Sequence, residues 1–340
     1  MARFGCVIAG LLGLGVGLGL ASAQAQAQWF TDKQSIMGTE IALTFWTEKA
    51  DEGPPVIKAV MDDMRWMEQT FSPYIETSEL YKVNATAAKA PVKISPELSL
   101  LIDKSLHYSE YSDGAFDITF ASVGWYYDYR AHQKPSDNEI KRLLPAINYH
   151  FLKLDKTRGE LSYGHPNIRI DLGGIAKGYA VDRAAEILQR MGIHHATVSA
   201  GGDSRLLGDK LGQPWMVGIK NPRPTSKQDA VITLLPLADS AISTSGDYER
   251  FFFDQKSGER IHHILNPKTG KSASEVMSVT ILGPKGLDTD PLTKCVWISG
   301  VKKGLALINS LPDFDAVIID KNGKVFYSKG LTPPSAQPTP

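Results

Sequence analysis

Apolar and polar positions follow two different periods along this chain, and the change between them divides it. The start is irregular up to Glu40-Ile41-Ala42-Leu43-Thr44-Phe45-Trp46, whose alternation predicts a strand. Pro54-Pro55 then opens a helix, because proline fits a first turn, and Val56, Val60, Met64, Met67 and Phe71 recur on one face of it. Ser95-Pro96 opens a second helix with Leu98, Ile102 and Leu106 inward. Ser136 with Glu139 forms a capping-box pattern ahead of Ile140, Leu143 and Leu144. Ile168-Arg169-Ile170 alternates like a half-buried strand, and Ala180, Ala184, Ile187, Leu188 and Met191 follow at helical spacing.

Beyond that helix the two-residue period takes over. Ala196-Thr197-Val198, Trp215 to Ile219, Ala230 to Leu234 and Val279 to Leu282 read as strands separated by Gly, Pro and Asp turns, many joined without a helix between them. This predicts an α+β fold with substantial antiparallel sheet and packed helices, rather than regular parallel βαβ units.

Composition changes this picture at the ends and in its chemistry. The chain has 340 residues and is 42% hydrophobic, enough for a large core. Lys plus Arg and Asp plus Glu each number 37, so long-range attraction to nucleic acid or to an anionic membrane is not expected and any anion must be caught locally. Arg3, the apolar run from Val7 to Leu20 and the small residues Ala21-Ser22-Ala23 read as a cleaved secretory signal peptide over residues 1–27, which implies a periplasmic protein with no stable membrane insertion of the mature chain. Residues 28–331 then form the folded domain, and the proline-rich segment 332–340 is expected to be a disordered tail. Removing the signal leaves Cys295 alone, in an apolar run that predicts a buried, inert thiol rather than a disulfide or a nucleophile.

The segment from Ile170 to Asp182 carries two glycines between a predicted strand and a helix. Two readings follow from its residues. In one, backbone N–H groups at the helix start, close approach over Gly173 and Gly174, and the charge of Lys177 hold a phosphate, with Asp171 hinting at a bridging metal. In the other, Asp171 is an N-cap, the glycines make a tight turn and Lys177 is solvated. Other polar concentrations include Phe71-Ser72-Pro73-Tyr74 leading to Ser78 and Asn84, Gly114-Ala115-Phe116-Asp117, Ala200-Gly201-Gly202-Asp203, Thr244-Ser245-Gly246, His262-His263-Ile264 with Pro267 and Thr269-Gly270, and Asp290 to Gly300. Singly, each is compatible with an ordinary turn or strand end.

In order and spacing, these segments together with Met37-Gly38-Thr39 resemble the ApbE-type family, the FAD:protein FMN transferases, from about residue 35 to residue 330. The resemblance implies a T-fold-related α+β enzyme. It would transfer FMN from FAD to a Thr or Ser hydroxyl of a protein acceptor, release AMP and depend on Mg²⁺. Acceptors would be exported or membrane-bound redox subunits. The resemblance implies FAD contacts for Met37, Tyr74, Ala115, Phe116, Asp117, Asp171, Lys177 and Ile264, and magnesium ligation by the Gly174 carbonyl and Asp290. His263 is the candidate for proton transfer, since an imidazole titrates near neutral pH; Asp171 shares that role or orients FAD, and His262 is structural.

One position departs from the family pattern. Lys294 stands four residues after Asp290, where an oxygen ligand is usual, and an ammonium cannot ligate Mg²⁺. Either Thr293 supplies the missing ligand, or Lys294 points away, or Lys294 itself neutralises the pyrophosphate. The expectation carried forward is retained magnesium with Gly174, Asp290 and Thr293 as its set. An FAD pyrophosphatase giving FMN and AMP, and a non-catalytic FAD-binding protein, are the alternatives.

Overall fold

The computed structural model describes residues 27–331. The expected signal segment short of Ala27, and the expected tail from Thr332, lie outside the described residues.

The centre is an eight-stranded sheet in which every neighbour is antiparallel and strands follow chain order: β1 (Gln28–Ile36), β2 (Thr39–Thr47), β3 (Ala196–Ala200), β4 (Asp203–Leu207), β5 (Ala241–Gly246), β6 (Val276–Gly283), β7 (Asp315–Asp320) and β8 (Val325–Tyr327). The principal helices are α1 (Gly53–Phe71), α2 (Pro96–Tyr111), α3 (Ala176–Arg190) and α4 (Gly286–Ile308). The fold is therefore α+β with antiparallel pairing, as expected.

Helices α1, α2 and α3 form where the pattern places them, whereas α4 had no counterpart in the pattern. Val56, Val60, Met64 and Met67 of α1 are fully buried, as are Leu98 and Ile102 of α2. Burial of side chains of this size stabilises the fold by about 1.5–3 kcal/mol apiece. Ser95 caps α2 by accepting from the Leu98 N–H at 3.2 Å, and Ser136 with Glu139 forms the expected capping box. Helix α3 contacts both α1 and α4 and packs over β3 and β4, while α4 packs over β5 and β6. Ile41, Leu43, Phe45, Val198, Val279 and Ile281 meet these helices in one core. Strands Trp215–Lys220 and Val231–Leu237 form a separate hairpin whose Val217, Ile219, Leu235 and Leu237 cluster with Ile242, Leu282 and Val317.

Two readings are corrected. The irregular start is strand β1, joined to β2 by a turn with Met37 and Gly38 at φ 57° and 67°. Its half-buried positions include Asp32 and Gln34, which bond each other at 2.8 Å, so no apolar alternation marks the strand. Conversely, Ile168-Arg169-Ile170 is not a strand. Its apolar side chains are buried, but side chains satisfy its backbone: Asn84 donates to the Ile170 carbonyl and accepts from the Ile170 N–H, both at 2.9 Å, and Ser122 accepts from the Arg169 N–H at 3.1 Å.

Candidate active site

The site is built around the point where α3 and α4 touch. Gly178 and Gly286 make the contact, and a Cβ on Gly178 would overlap the Gly286 carbonyl. Closeness lets each helix start be capped from the other helix. Asp182 accepts the Gly286 and Leu287 N–H groups at 2.8 Å each, and Asp290 Oδ2 accepts the Gly178 N–H at 3.1 Å. A carboxylate at a helix N-terminus is favoured by the unpaired donors and the helix dipole. Asp182, at the end of the Ile170-to-Asp182 segment, is thus the cap of α4. Hydroxyls fix α4 to β5: Ser243 with Thr289 at 2.7 Å and Ser245 with Thr293 at 2.8 Å.

Four charges occupy this crossing. Asp290 is fully buried. Lys294, one turn on, donates to the Asp290 carboxylate Oδ1 and, at 3.1 Å, to its carbonyl. Lys177 donates to the Gly173 carbonyl at 2.8 Å and lies 3.4 Å from Asp203 and 3.9 Å from Asp290 Oδ2. Burial works against ionised Asp290, but the Lys177 and Lys294 ammoniums and the Gly178 N–H outweigh it and hold its pKa below the ordinary value. Burial first, then the Asp290 charge, push the Asp203 carboxyl up. For Lys177, burial favours the neutral amine, yet Asp290 and Asp203 prevail and raise its pKa.

The magnesium set inferred from sequence is brought together only in part. Gly174 lies beside the Lys294 stem and the Phe116 ring, which a Cβ on it would meet at 3.6 Å and 3.1 Å. The Thr293 hydroxyl is committed, donating to the Asp290 carbonyl at 2.6 Å and bonding Ser245. Among the described residues no group of three or more His, Cys, Asp or Glu side chains is placed to hold a metal. The donors here do not fit the expected Gly174, Asp290 and Thr293 shell, because Lys294 covers the one carboxylate in it and Thr293 faces protein partners.

The glycine turn also differs from expectation. Asp171 is not the N-cap of α3; that position is Ile175, with no side-chain cap. The Asp171 carboxylate accepts from the Gly173 N–H at 2.6 Å, closing the turn on itself, and burial raises its pKa against the pull of that bond, Lys177 and Arg250. Donors expected to face a phosphate are therefore partly taken by Asp171 and Asp290. Positive charge for an anion comes from side chains instead.

Arg250 is one of those side chains. It donates to the Gly38 carbonyl at 3.3 Å, which brings the Met37-Gly38 turn to the site, and its charge bears on Asp171, Lys177 and His263. The Met37 N–H is itself fixed by Glu68 at 2.8 Å. Half-buried His263 bonds the Arg250 carbonyl through its backbone N–H at 3.2 Å and through Nδ1 at 3.4 Å. Burial, then Arg250, push its pKa down to about 3. His262 is buried between the Ala273 carbonyl, 3.1 Å from Nε2, and the Ile264 N–H, 3.3 Å from Nδ1, and burial lowers its pKa to about 4. It packs against Trp297 and holds buried Ile264 in place.

Tyr74 is exposed and stacks on Trp125 at 5.1 Å, and Arg169 lies 4.4 Å from the other ring's centre. Ala115, Phe116 and Asp117 are buried behind the glycine turn. The Asp117 carboxylate accepts from the Thr119 N–H and hydroxyl and from the Tyr149 N–H at 2.6–2.9 Å, which leaves little acceptor capacity for a ligand. Cys295 is buried and its thiol is raised to about 12, as an inert thiol should be.

Sequence reading missed Asp203 and Arg250 as members. Asp203 had a signal, since it follows a Gly-Gly turn that brings it to the start of β4; Arg250 had none beyond its charge.

Fold and side chains together define a protein whose clustered cations, buried carboxylates and half-buried imidazole stand near exposed Tyr74 stacked on half-buried Trp125, an arrangement suited to an anionic ligand that carries a ring system. The model of the ApbE family matches residues 37–318, and the chain belongs to that family. It is similar to the FAD:protein FMN transferase of Treponema pallidum, 29% identical with 89% of this chain and 87% of that protein covered. It is also similar to that of Klebsiella pneumoniae, 31% identical over 74% of this chain and 78% of the relative. The crystal structure of the ApbE protein from Thermotoga maritima superposes with a TM-score of 0.81 at 32% identity, covering 89% of this chain and 98% of that one.

Proposed function

We propose that this chain transfers FMN from FAD to a threonine or serine hydroxyl of a protein acceptor and releases AMP. The observation that carries the reading is the convergence of Lys177, Arg250 and Lys294 on one site with His263, since a pyrophosphate needs its charge offset as a P–O bond breaks and the attacking hydroxyl must lose a proton. The acceptor oxygen attacks the FMN-side phosphorus, the bridging P–O bond breaks, AMP leaves, and His263 takes the hydroxyl proton. In the free chain that imidazole is neutral and weakly basic; an FAD pyrophosphate beside it opposes the Arg250 and Lys177 charges and raises its proton affinity. Asp171 orients the ligand from the glycine turn, and Tyr74 offers a ring face at the rim.

The signal-like start supports a periplasmic location, where exported or membrane-bound redox subunits would be the acceptors. Incubation with FAD and an acceptor peptide carrying one threonine, read by intact mass, is expected to add one FMN per peptide with one AMP released. FMN freed equally with and without peptide would make the protein an FAD hydrolase, and bound FAD without AMP would make it a binding protein.

A further inference from the structure

The charges on α4 disagree with the magnesium that the family resemblance implies. We propose that the Lys294 ammonium is the resident cation of this site, so that the chain handles the FAD pyrophosphate without a divalent metal. The proposal rests on the FAD reading above.

Four observations carry it. Lys294 covers Asp290 Oδ1, and the Gly178 N–H and Lys177 approach Oδ2, so both oxygens of the carboxylate expected to ligate the metal already face positive partners. Exposure separates the two side chains: Asp290 is 0% exposed and Lys294 20%, so an incoming ligand meets the ammonium before the carboxylate. A divalent ion at Asp290 would have to sit between two ammoniums, where like charges repel. Finally, an ammonium has three N–H donors; Asp290 takes two, through its carboxylate and its carbonyl, and the third remains for a phosphate oxygen.

Lys294 is held in place by the helix. Its spacing from Asp290 is one turn, and Asp290 is itself fixed to α3 through Gly178. Both partners are thus set before a ligand arrives. The chemical balance is unchanged from the transfer above: the acceptor O–P bond forms, the bridging P–O bond breaks, and Lys294 offsets the developing charge without gaining or losing an atom.

Two measurements on the full mature chain test this. Titration with Mn²⁺ alone, followed by electron paramagnetic resonance, is expected to show no stoichiometric site in the wild type. Lys294→Thr, which removes the ammonium and adds a hydroxyl oxygen, should bind Mn²⁺ at least about tenfold more tightly. FAD affinity, read by flavin fluorescence, should be the same within about twofold in EDTA and in excess Mg²⁺ for the wild type. For Lys294→Thr it should weaken in EDTA and recover with Mg²⁺; for Lys294→Met, which keeps the stem, it should weaken in both. One tightly bound Mn²⁺ per wild-type chain, or wild-type FAD affinity lost in EDTA and restored by Mg²⁺, would overturn the proposal. Failure to bind FAD under either condition instead removes the FAD reading, while the Mn²⁺ titration still reports whether Lys294 keeps a metal out.

Discussion

The two sides of the site handle charge in opposite ways. On the α4 side, Asp290 is fully buried and every charge has a protein partner: Asp290 with Lys294 and Lys177, Asp203 with Lys177. On the rim, Asp171 leans on a single backbone N–H, His263 on a backbone carbonyl, and Tyr74 stands 71% exposed. The first arrangement fixes structure before a ligand binds, and the second leaves the ligand to complete it. Substitutions on the α4 side should therefore reach stability first, whereas those on the rim should reach binding and turnover.

The largest expected effect is at Asp290. Replacing it with Asn leaves Lys177 and Lys294 facing each other in a poorly solvated site, at a cost of about 3–5 kcal/mol in urea unfolding at pH 7. Asp203→Asn should cost much less, because burial and Asp290 already disfavour its charged form. Acid should reveal the same asymmetry. The folded Asp290 pKa is depressed, so its contribution is present above the unfolded carboxyl value, near 4, and is lost as pH falls through the folded one; Asp290→Asn should flatten that limb. Equal costs for the two variants would erase the distinction between the sides.

Gly178→Ala comes next. The added Cβ overlaps the Gly286 carbonyl, which is backbone and cannot rotate away, so α3 and α4 must separate at a cost of about 1–3 kcal/mol. FAD affinity should fall with it, because Lys177 and Lys294 ride on the two helices. Stability lost with FAD binding intact would mean that the helix crossing does not set the site.

An effect graded with pH, of about 1 kcal/mol per pH unit and absent at pH 7, belongs to His263. Its folded pKa is near 3 and its unfolded value near 6.5, so between those limits the unfolded chain binds a proton that the folded chain refuses. Stability is complete above pH 6.5 and declines as pH falls; His263→Asn should remove that part of the decline between pH 6.5 and 4. The same variant should lower FMN transfer by about 10²-fold or more while stability at pH 7 barely changes. An unchanged transfer rate would remove His263 from the mechanism.

Much of the frame was legible because local chemistry and burial agree there: the proline-opened helices, the Ser136 capping box and the alternation of β2 each point one way. Strand β1 was hidden because Asp32 and Gln34 satisfy each other on its inner face. The segment at Ile168 looked like a strand because its apolar residues alternate, yet Asn84 and Ser122 supply the partners a neighbouring strand would have given. In the site, Lys294 stood out because it stands where the ApbE resemblance implies an oxygen ligand, whereas Asp203 arrives on β4 and Arg250 from the loop after β5, and no local pattern shows that convergence. The helix start after Gly173-Gly174 read as open donors in sequence; only the crossing shows that Asp290 takes the Gly178 N–H and that Asp182 takes those of Gly286 and Leu287.

The smallest expected effect on stability is at the rim, and it discriminates most sharply. Tyr74 makes one ring contact, with Trp125 at 5.1 Å and 16°, while 71% of the residue faces solvent, so Tyr74→Ala should change unfolding free energy by less than about 1 kcal/mol. If the rim is completed by the ligand's ring system, the same substitution should weaken FAD several-fold and leave affinity for ADP unchanged, since ADP carries the pyrophosphate without the flavin. Tyr74→Phe keeps the ring face and should bind FAD as the wild type does. Parallel loss of FAD and ADP would instead tie Tyr74 to the charges on Asp171 and Arg250, and the separation between a fixed side and a ligand-completed rim would have to be redrawn.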